Sequence, residues 1–168
     1  MSSDLVRAVV AFGANLGDRA ATIQAAADQL AATDGVELVK LAPVIETSAL
    51  RPYGLDREAP AYLNTVAVIR TSLAPNELHA VLRDLEDAHG RVRTQRWGDR
   101  TLDLDLIVYG ELQQDDPELT LPHPRAHERD FVLRPWLTAD PQAELPGRGR
   151  VEELLAELDR HELGGGAT

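Results

Sequence analysis

Cysteine is missing from all 168 residues, and aromatic side chains make up only 4% of them. Without cysteine there are no disulfides and no thiolate zinc sites, a usage that sits easily with a reducing compartment. No apolar run approaches the ~20 residues of a membrane span, and no signal-peptide pattern opens the chain, so a cytoplasmic protein without a membrane partner is expected. Positive charge is scarce: 17 Lys and Arg stand against 28 Asp and Glu, a formal net charge of −11. That deficit argues against nucleic acid as a partner, because such a partner calls for a basic face. What remains is an ordinary globular balance, 43% hydrophobic and 27% charged, in a length that suits one domain with a real core. Residues 1–168 therefore read as a single domain, frayed at 1–4 and disordered over 163–168. A monomer is expected.

Hydrophobic periodicity and punctuation divide the chain. Val6 to Phe12 reads as a buried strand, followed by a glycine-containing turn from Gly13 to Asp18. Asp18 is a suitable N-cap for a helix over Arg19 to Ala32. The turn lacks the G-K-[ST] of a phosphate loop, so its glycines are read as turn chemistry. Val36 to Thr47 is a second strand, with Pro43 marking an edge or a bulge. Residues 48–60 read as a loop, and Ala61 to Thr71 as a third strand. Pro75 opens a helix that Gly90 ends near His89. Residues 110–117 form an acidic turn, Ala126 to Leu137 reads as a helix, and Val151 to Leu158 as a last short one. The order is β-α-β-β-α-β with extra C-terminal helices. It predicts an α+β fold of ferredoxin-like type, an antiparallel sheet with two helices packed on one face.

The densest chemistry lies in Arg91 to Leu106, RVRTQRWGDRTLDLDL. Arg91, Arg93, Arg96 and Arg100 form a basic cluster out of character with an acidic chain. Leu102, Leu104, Leu106 and Val108 then alternate with Thr101, Asp103, Asp105 and Ile107, the period of a half-buried strand. Residues i and i+2 share a face, so Asp103 and Asp105 project together, opposite the leucines. Two carboxylates roughly 7 Å apart resist ionising together, and a divalent cation, naturally magnesium, removes that penalty. Arginine forks match phosphate oxygens. Alone, a D-x-D pair is usually a solvated edge. Its adjacency to the arginines points instead to phosphoryl-type transfer.

A second constellation uses the rare aromatics. Tyr62 and Asn64 share a strand face; the ring can stack on a flat ligand, and the carboxamide offers a donor beside an acceptor. Phe131 is placed to cover the ligand's other side. Alone, Tyr62 would be an ordinary aromatic at the core rim. His123, flanked by prolines in TLPHPR, has Arg125 and Arg129 nearby and is a candidate anion contact. The remaining histidines (His79, His89, His127, His161) have no metal-ligand spacing and read as surface residues.

Four blocks, FGANLGD, AYLN, GRVRTQRWGDRTLDLDLIVYG and PHPRAHERDFVLRPW, give the chain a resemblance to the 6-hydroxymethyl-7,8-dihydropterin pyrophosphokinase family. These folate-pathway diphosphokinases move pyrophosphate from ATP to a hydroxymethyl pterin. The blocks cover nearly the whole chain in the family's order, and the block around RWG-x-RTLDLD is the most specific. The resemblance implies that Asp103 and Asp105 hold two magnesium ions bound with ATP, and that Arg91 and Arg100 join them as catalytic residues. It implies ATP contacts from Glu86, Arg91, Arg93, Arg96, Arg100, Leu106, Thr120, His123 and Arg129. Tyr62 and Phe131 would sandwich the pterin, Asn64 and the main chain from Thr47 to Leu50 would read its edge, and Trp97 would close over it. ATP and 6-hydroxymethyl-7,8-dihydropterin are the implied partners. Asp99, Ile45 and Ala49 depart from the family's usual residues, and Glu118 stands where a basic residue can occur.

Two other readings fit less well. A metal-dependent nucleotidyltransferase would set its glycine turn shortly before the D-x-D pair, whereas Gly17 and Asp103 are far apart. A ferredoxin-like RNA-binding module would present stacking rings where this strand presents aspartates.

Overall fold

The computed structural model describes residues 5–14, 19–47, 49–51, 54–56, 62–90 and 102–166. Strand β1 (Val6–Ala14) sends Ala8, Val10, Phe12 and Ala14 to one face and Val9 and Ala11 to the other, all of them buried. A strand that is apolar on both faces belongs in the middle of a sheet, and β1 pairs on both sides. After helix α1 (Arg19–Ala31) come β2 (Val36–Leu41), β3 (Ile45–Thr47), β4 (Ala49–Arg51), β5 (Gly54–Asp56) and β6 (Tyr62–Thr71). Helix α2 (Pro75–Gly90) leads to β7 (Asp103–Tyr109), β8 (Gln114–Asp115) and β9 (Thr120–Leu121). A short 3-10 turn (Ala126–Glu128), α3 (Asp130–Ala139), β10 (Glu144–Leu145), β11 (Gly149–Arg150) and α4 (Val151–Gly166) complete the order.

The main sheet runs β2-β6-β1-β7, with β3 also paired to β6, and each pairing is antiparallel. One face packs against α1 and α2 through Ile23, Ala26, Leu30, Leu78 and Leu82. The other packs against α3 and α4 through Val132, Leu133, Trp136, Val151 and Leu155. The expected antiparallel sheet with helices is therefore present, and the C-terminal helices add a second covering layer on the face left bare by the two-helix expectation.

Several elements differ from their sequence-based expectation for identifiable reasons. Strand β1 continues through Gly13 and Ala14, the start of the expected turn, because both are held in register by β6. The single strand expected over Val36 to Thr47 is two, β2 and β3. Between them Ala42 bonds β6 through its N–H to the Val66 carbonyl at 3.0 Å, and Pro43 has no N–H to continue a ladder. The buried Thr65 hydroxyl donates to the Ala42 carbonyl at 2.7 Å and pins that break. Within the expected 48–60 loop, β4 and β5 pair as a short hairpin, and the expected acidic turn contributes β8, which pairs with β9. Helix α4 runs to Gly166, into the segment 163–168 expected to be disordered; a helix nucleated on buried Val151 and Leu155 gains one bond per added residue.

The most consequential difference is in β7. Val9 faces Val108 while Val10 faces Leu106, so Ile107 is the extra residue of a β-bulge. Leu102, Leu104 and Leu106 stay on the α1/α2 side, but Ile107 and Val108 both face α3/α4. The expected placement of Val108 with the leucines is therefore wrong; one inserted residue inverts the phase of everything after it. The Ile107 carbonyl accepts the His123 N–H at 2.8 Å, which docks the TLPHPR segment at the bulge.

Thr71 closes the other end of β6. Its fully buried hydroxyl donates to the Gly35 carbonyl at 2.7 Å and accepts the Leu73 N–H at 3.0 Å. Thr71→Val keeps the shape, takes the hydroxyl partner from the Leu73 N–H and removes one of two bonds at the Gly35 carbonyl, which still accepts the Ser72 N–H at 3.0 Å, so a destabilisation of about 1–3 kcal/mol is expected in urea unfolding. A loss below about 0.3 kcal/mol would contradict this account of the β6 end.

Candidate active site

The site is built on one row of residues running across the sheet. Asn64 of β6 faces Gly13 of β1, and Gly13 faces Asp103 of β7. One row further along β1, Val66 and Asp105 flank Ala11. Directly opposed residues share a face, and Ala11 and Val66 belong to the cluster packed by α3 and α4. Asn64, Asp103 and Asp105 therefore project from that same face. Asn64 and Asp103, two strand spacings apart, bracket a gap of about 10 Å whose floor is a glycine.

Gly13 explains its own identity here. A Cβ at this position would meet Asn64 Oδ1 at 3.1 Å, closer than ordinary contact. Sequence reasoning passed over this residue as turn chemistry. The available signal was phase: Gly13 continues the odd-numbered face of Val9 and Ala11. Asn64 is buried, and Tyr62, on the same strand face by period, is half-buried. Beyond them β3 pairs Ile45 with Asn64 and Thr47 with Tyr62. Leu50 pairs with Leu55 in the β4–β5 hairpin, and among the described residues that hairpin stands apart from the main sheet.

The start of α3 brings the second wall. The helix expected over Ala126 to Leu137 is interrupted at Arg129, whose backbone is extended between the 3-10 turn and α3. That break frees the Arg129 side chain. Its guanidinium stands 3.7 Å from the Asp105 carboxylate and 5.8 Å from the centre of the Phe131 ring. The predicted anion contact and the predicted aromatic cover are thus tied to the predicted acid by one arginine. His123 is half-buried, and its Nδ1 accepts the Arg125 N–H at 3.2 Å. Burial holds its imidazole below the ordinary range; the Asp105 charge opposes that, and Arg129 and Arg125 add to it.

The other predicted residues fall as follows. Glu86, on α2, accepts the Leu104 N–H at 2.7 Å through Oε2. The Leu106 side chain is buried among core residues on the α1/α2 side, which leaves its backbone as the part able to meet a ligand. The Thr120 hydroxyl, on β9, donates to the Asp116 carbonyl at 3.1 Å. Arg91, Arg93, Arg96, Trp97 and Arg100 lie outside the described residues. Of the histidines read as surface residues, His79 accepts a bond from Arg83 Nε at 3.2 Å, while His127 Nδ1 is buried with no hydrogen-bond partner among the described residues.

Two carboxylates on one strand face, both half-exposed, suit magnesium, which commonly takes one or two protein carboxylates and completes its shell with water and phosphate. Among the described residues no group of three or more His, Cys, Asp or Glu is placed to hold a metal. The donor set therefore fits an ion that arrives with an anionic ligand, and it does not resemble a closed structural cage.

Because the folded His123 takes a proton less readily than an unfolded one, its contribution to stability is lost as pH falls from about 6.5 toward its lowered value. In the metal-free protein, an NMR titration of the ring should give a midpoint below about 6.5. Asp105→Asn should lower that midpoint further, since it removes the charge that favours the imidazolium. A midpoint that rises on this substitution would break the assignment of the pair.

Residues 9–141 match the family model described as 7,8-dihydro-6-hydroxymethylpterin-pyrophosphokinase (HPPK). A Methylorubrum extorquens protein named 2-amino-4-hydroxy-6-hydroxymethyldihydropteridine pyrophosphokinase is 39% identical over 155 residues, covering 92% of this chain and 95% of that one. A Mycobacterium leprae protein of the same name is 43% identical, covering 96% of this chain and 87% of its own. The fold is also that of a Plasmodium falciparum HPPK-DHPS structure, with a TM-score of 0.63 at 12% identity. That match covers 94% of this chain and 43% of the larger one. By the family model and by its relatives, the chain belongs to the 7,8-dihydro-6-hydroxymethylpterin-pyrophosphokinase family.

Proposed function

We propose that this protein transfers pyrophosphate from ATP to 6-hydroxymethyl-7,8-dihydropterin, giving the pterin diphosphate and AMP in folate biosynthesis. The observation that carries the reading is the row Asn64–Gly13–Asp103, which sets an amide edge and an acid pair on one sheet face across a glycine floor. Family membership supports the reaction. The enzyme acts as a cytoplasmic monomer of one domain on these two small substrates, with neither nucleic acid nor membrane as partner. We read the sheet order β2-β6-β1-β7 with its two helical crossovers as ferredoxin-like.

The two ends of the row divide the labour. Asn64 pairs with the pterin edge while Tyr62 and Phe131 take its two faces, and the backbone between Thr47 and Leu50 adds edge contacts. Arg129 and His123, with Arg91, Arg93, Arg96 and Arg100, hold the triphosphate, and Glu86, Leu106 and Thr120 border the nucleoside. Trp97 closes over the site. Asp103 and Asp105 hold two magnesium ions together with ATP. When bound, those ions neutralise the charge that develops on the bridging oxygens. The hydroxymethyl oxygen of the pterin forms a bond to the β-phosphorus in line and gives up its proton toward the Asp105 end of the site, as the bond to the α-phosphate oxygen breaks and AMP leaves. The chain's part is to align these groups and exclude water as a competing nucleophile.

Chromatography should detect AMP only when ATP, magnesium and the pterin are all present; release that does not need the pterin would reject the reading. Asp105→Ala should lower kcat about a hundredfold to a thousandfold. It should shift stability by less than about 1 kcal/mol, because its Arg129 pair is partly exposed. A wild-type rate would defeat the metal assignment.

Asn64→Ala should raise the pterin KM about tenfold or more while leaving that for ATP within about twofold, since a buried polar edge loses its partner. Gly13→Ala should reproduce this selectivity by displacing the Asn64 amide. Equal effects on both substrates would place the pterin elsewhere.

A further inference from the structure

Strand β7 ends the main sheet, so its outer edge carries backbone groups that β1 cannot satisfy. Leu104 is held on one side by pairing with Phe12 of β1, and its side chain is buried in the α1/α2 core. Its N–H points the other way and donates to Glu86 Oε2 at 2.7 Å, the short length of a charge-assisted bond. Leu104 is the residue between Asp103 and Asp105. The bonded N–H belongs to the peptide that joins Asp103 to Leu104, so whatever fixes this peptide also sets the backbone from which both carboxylates project.

We propose that Glu86 is a positioning residue. Its carboxylate substitutes for a missing neighbour strand at the edge of β7 and holds the Asp103–Leu104 peptide, so that Asp103 and Asp105 stay aimed at the α3-side face. The inference rests on the proposed function, in which these two acids are the metal ligands, and gives Glu86 a role distinct from contact with the nucleoside.

Three observations support it. Helix α2 covers the opposite face of the sheet from the one that displays the aspartates, so Glu86 reaches them only through the strand edge. Among the described residues, no group of three His, Cys, Asp or Glu is placed to hold a metal, so Glu86 is not grouped with the two aspartates there. Further along the same edge the strand is anchored again, where Ile107 O accepts the His123 N–H. The acid pair thus lies in a stretch of β7 held at the edge by Glu86 near its start and by His123 near the bulge.

The test compares Glu86→Gln and Glu86→Ala in the full chain by four measurements. These are backbone amide exchange, Mn2+ binding in the presence of a non-hydrolysable ATP analogue, steady-state AMP formation, and thermal unfolding. Leu104 N–H should be protected in the unsubstituted protein and lose protection in Glu86→Ala. That variant should weaken Mn2+ binding and lower kcat about 10-fold to 100-fold, with the pterin KM within about twofold. Glu86→Gln, whose amide oxygen still accepts the bond, should bind Mn2+ and turn over at least about fivefold better than Glu86→Ala.

Rapid exchange at Leu104 in the unsubstituted protein would overturn the proposal. So would Mn2+ binding unchanged in Glu86→Ala, or a glutamine variant as impaired as the alanine one, which would mark a direct charge contact with ligand. Should Glu86→Ala not fold, the Leu104 exchange rate and the glutamine variant still decide. Absence of pterin-dependent AMP release from the unsubstituted protein would reject the proposed reaction, while the exchange measurement would continue to report on the Glu86 bond by itself.

Discussion

Simultaneous pairing of β1 on both sides is the constraint on which the site depends. Its register with β6 and with β7 places Asn64 and Asp103 at the same height on either side of Gly13. A slip of one residue in either pairing would turn one set of side chains to the opposite face. That register is held by burial: Ala8, Val10 and Phe12 on one side and Val9 and Ala11 on the other are packed against separate helical layers. The core thus selects the alignment, and the alignment creates the site at the end of the strand where the packing gives way to partly exposed side chains.

The electrostatics follow from that placement. An acid pair on an already acidic chain is unfavourable unless positive charge is close. Arg129 supplies it from a point where the backbone is extended between two helical turns, so its side chain reaches Asp105 while α3 remains packed on the sheet. Burial keeps His123 inclined to the neutral form beside the same acid. Neutral imidazole and guanidinium together present one fixed positive charge and one adaptable hydrogen-bonding ring, which suits an anionic ligand whose charge changes during the reaction.

The acid pair, the shared face of Tyr62 and Asn64, and the helical segments apart from the break at Arg129 are legible in the sequence, because each depends on local period. Legibility ended where the period was broken by contacts remote in sequence. The bulge at Ile107 depends on β1, so the phase of Val108 could not be read from β7 alone. Gly13 looked like a turn glycine because turns are the usual place for glycine; its role as a floor beneath Asn64 requires a strand that lies far along the chain. Glu86 drew attention by resemblance, yet its bond to Leu104 crosses from a helix to a strand edge and leaves no mark in spacing.

By itself the sequence determined the chemical inventory: paired acids at two-residue spacing, arginines close to them, few aromatics, and enough apolar period to make a sheet with helices. These are properties of neighbouring residues, and short-range sterics and hydrophobic phase suffice to express them. Tertiary structure alone decided which face of the sheet each group would share, that a glycine would separate amide from acid, and that Arg129 would reach Asp105. The reason is geometric: neighbouring strands lie about 4.8 Å apart in space whatever their separation in the chain, so adjacency in the site is set by pairing register and core packing.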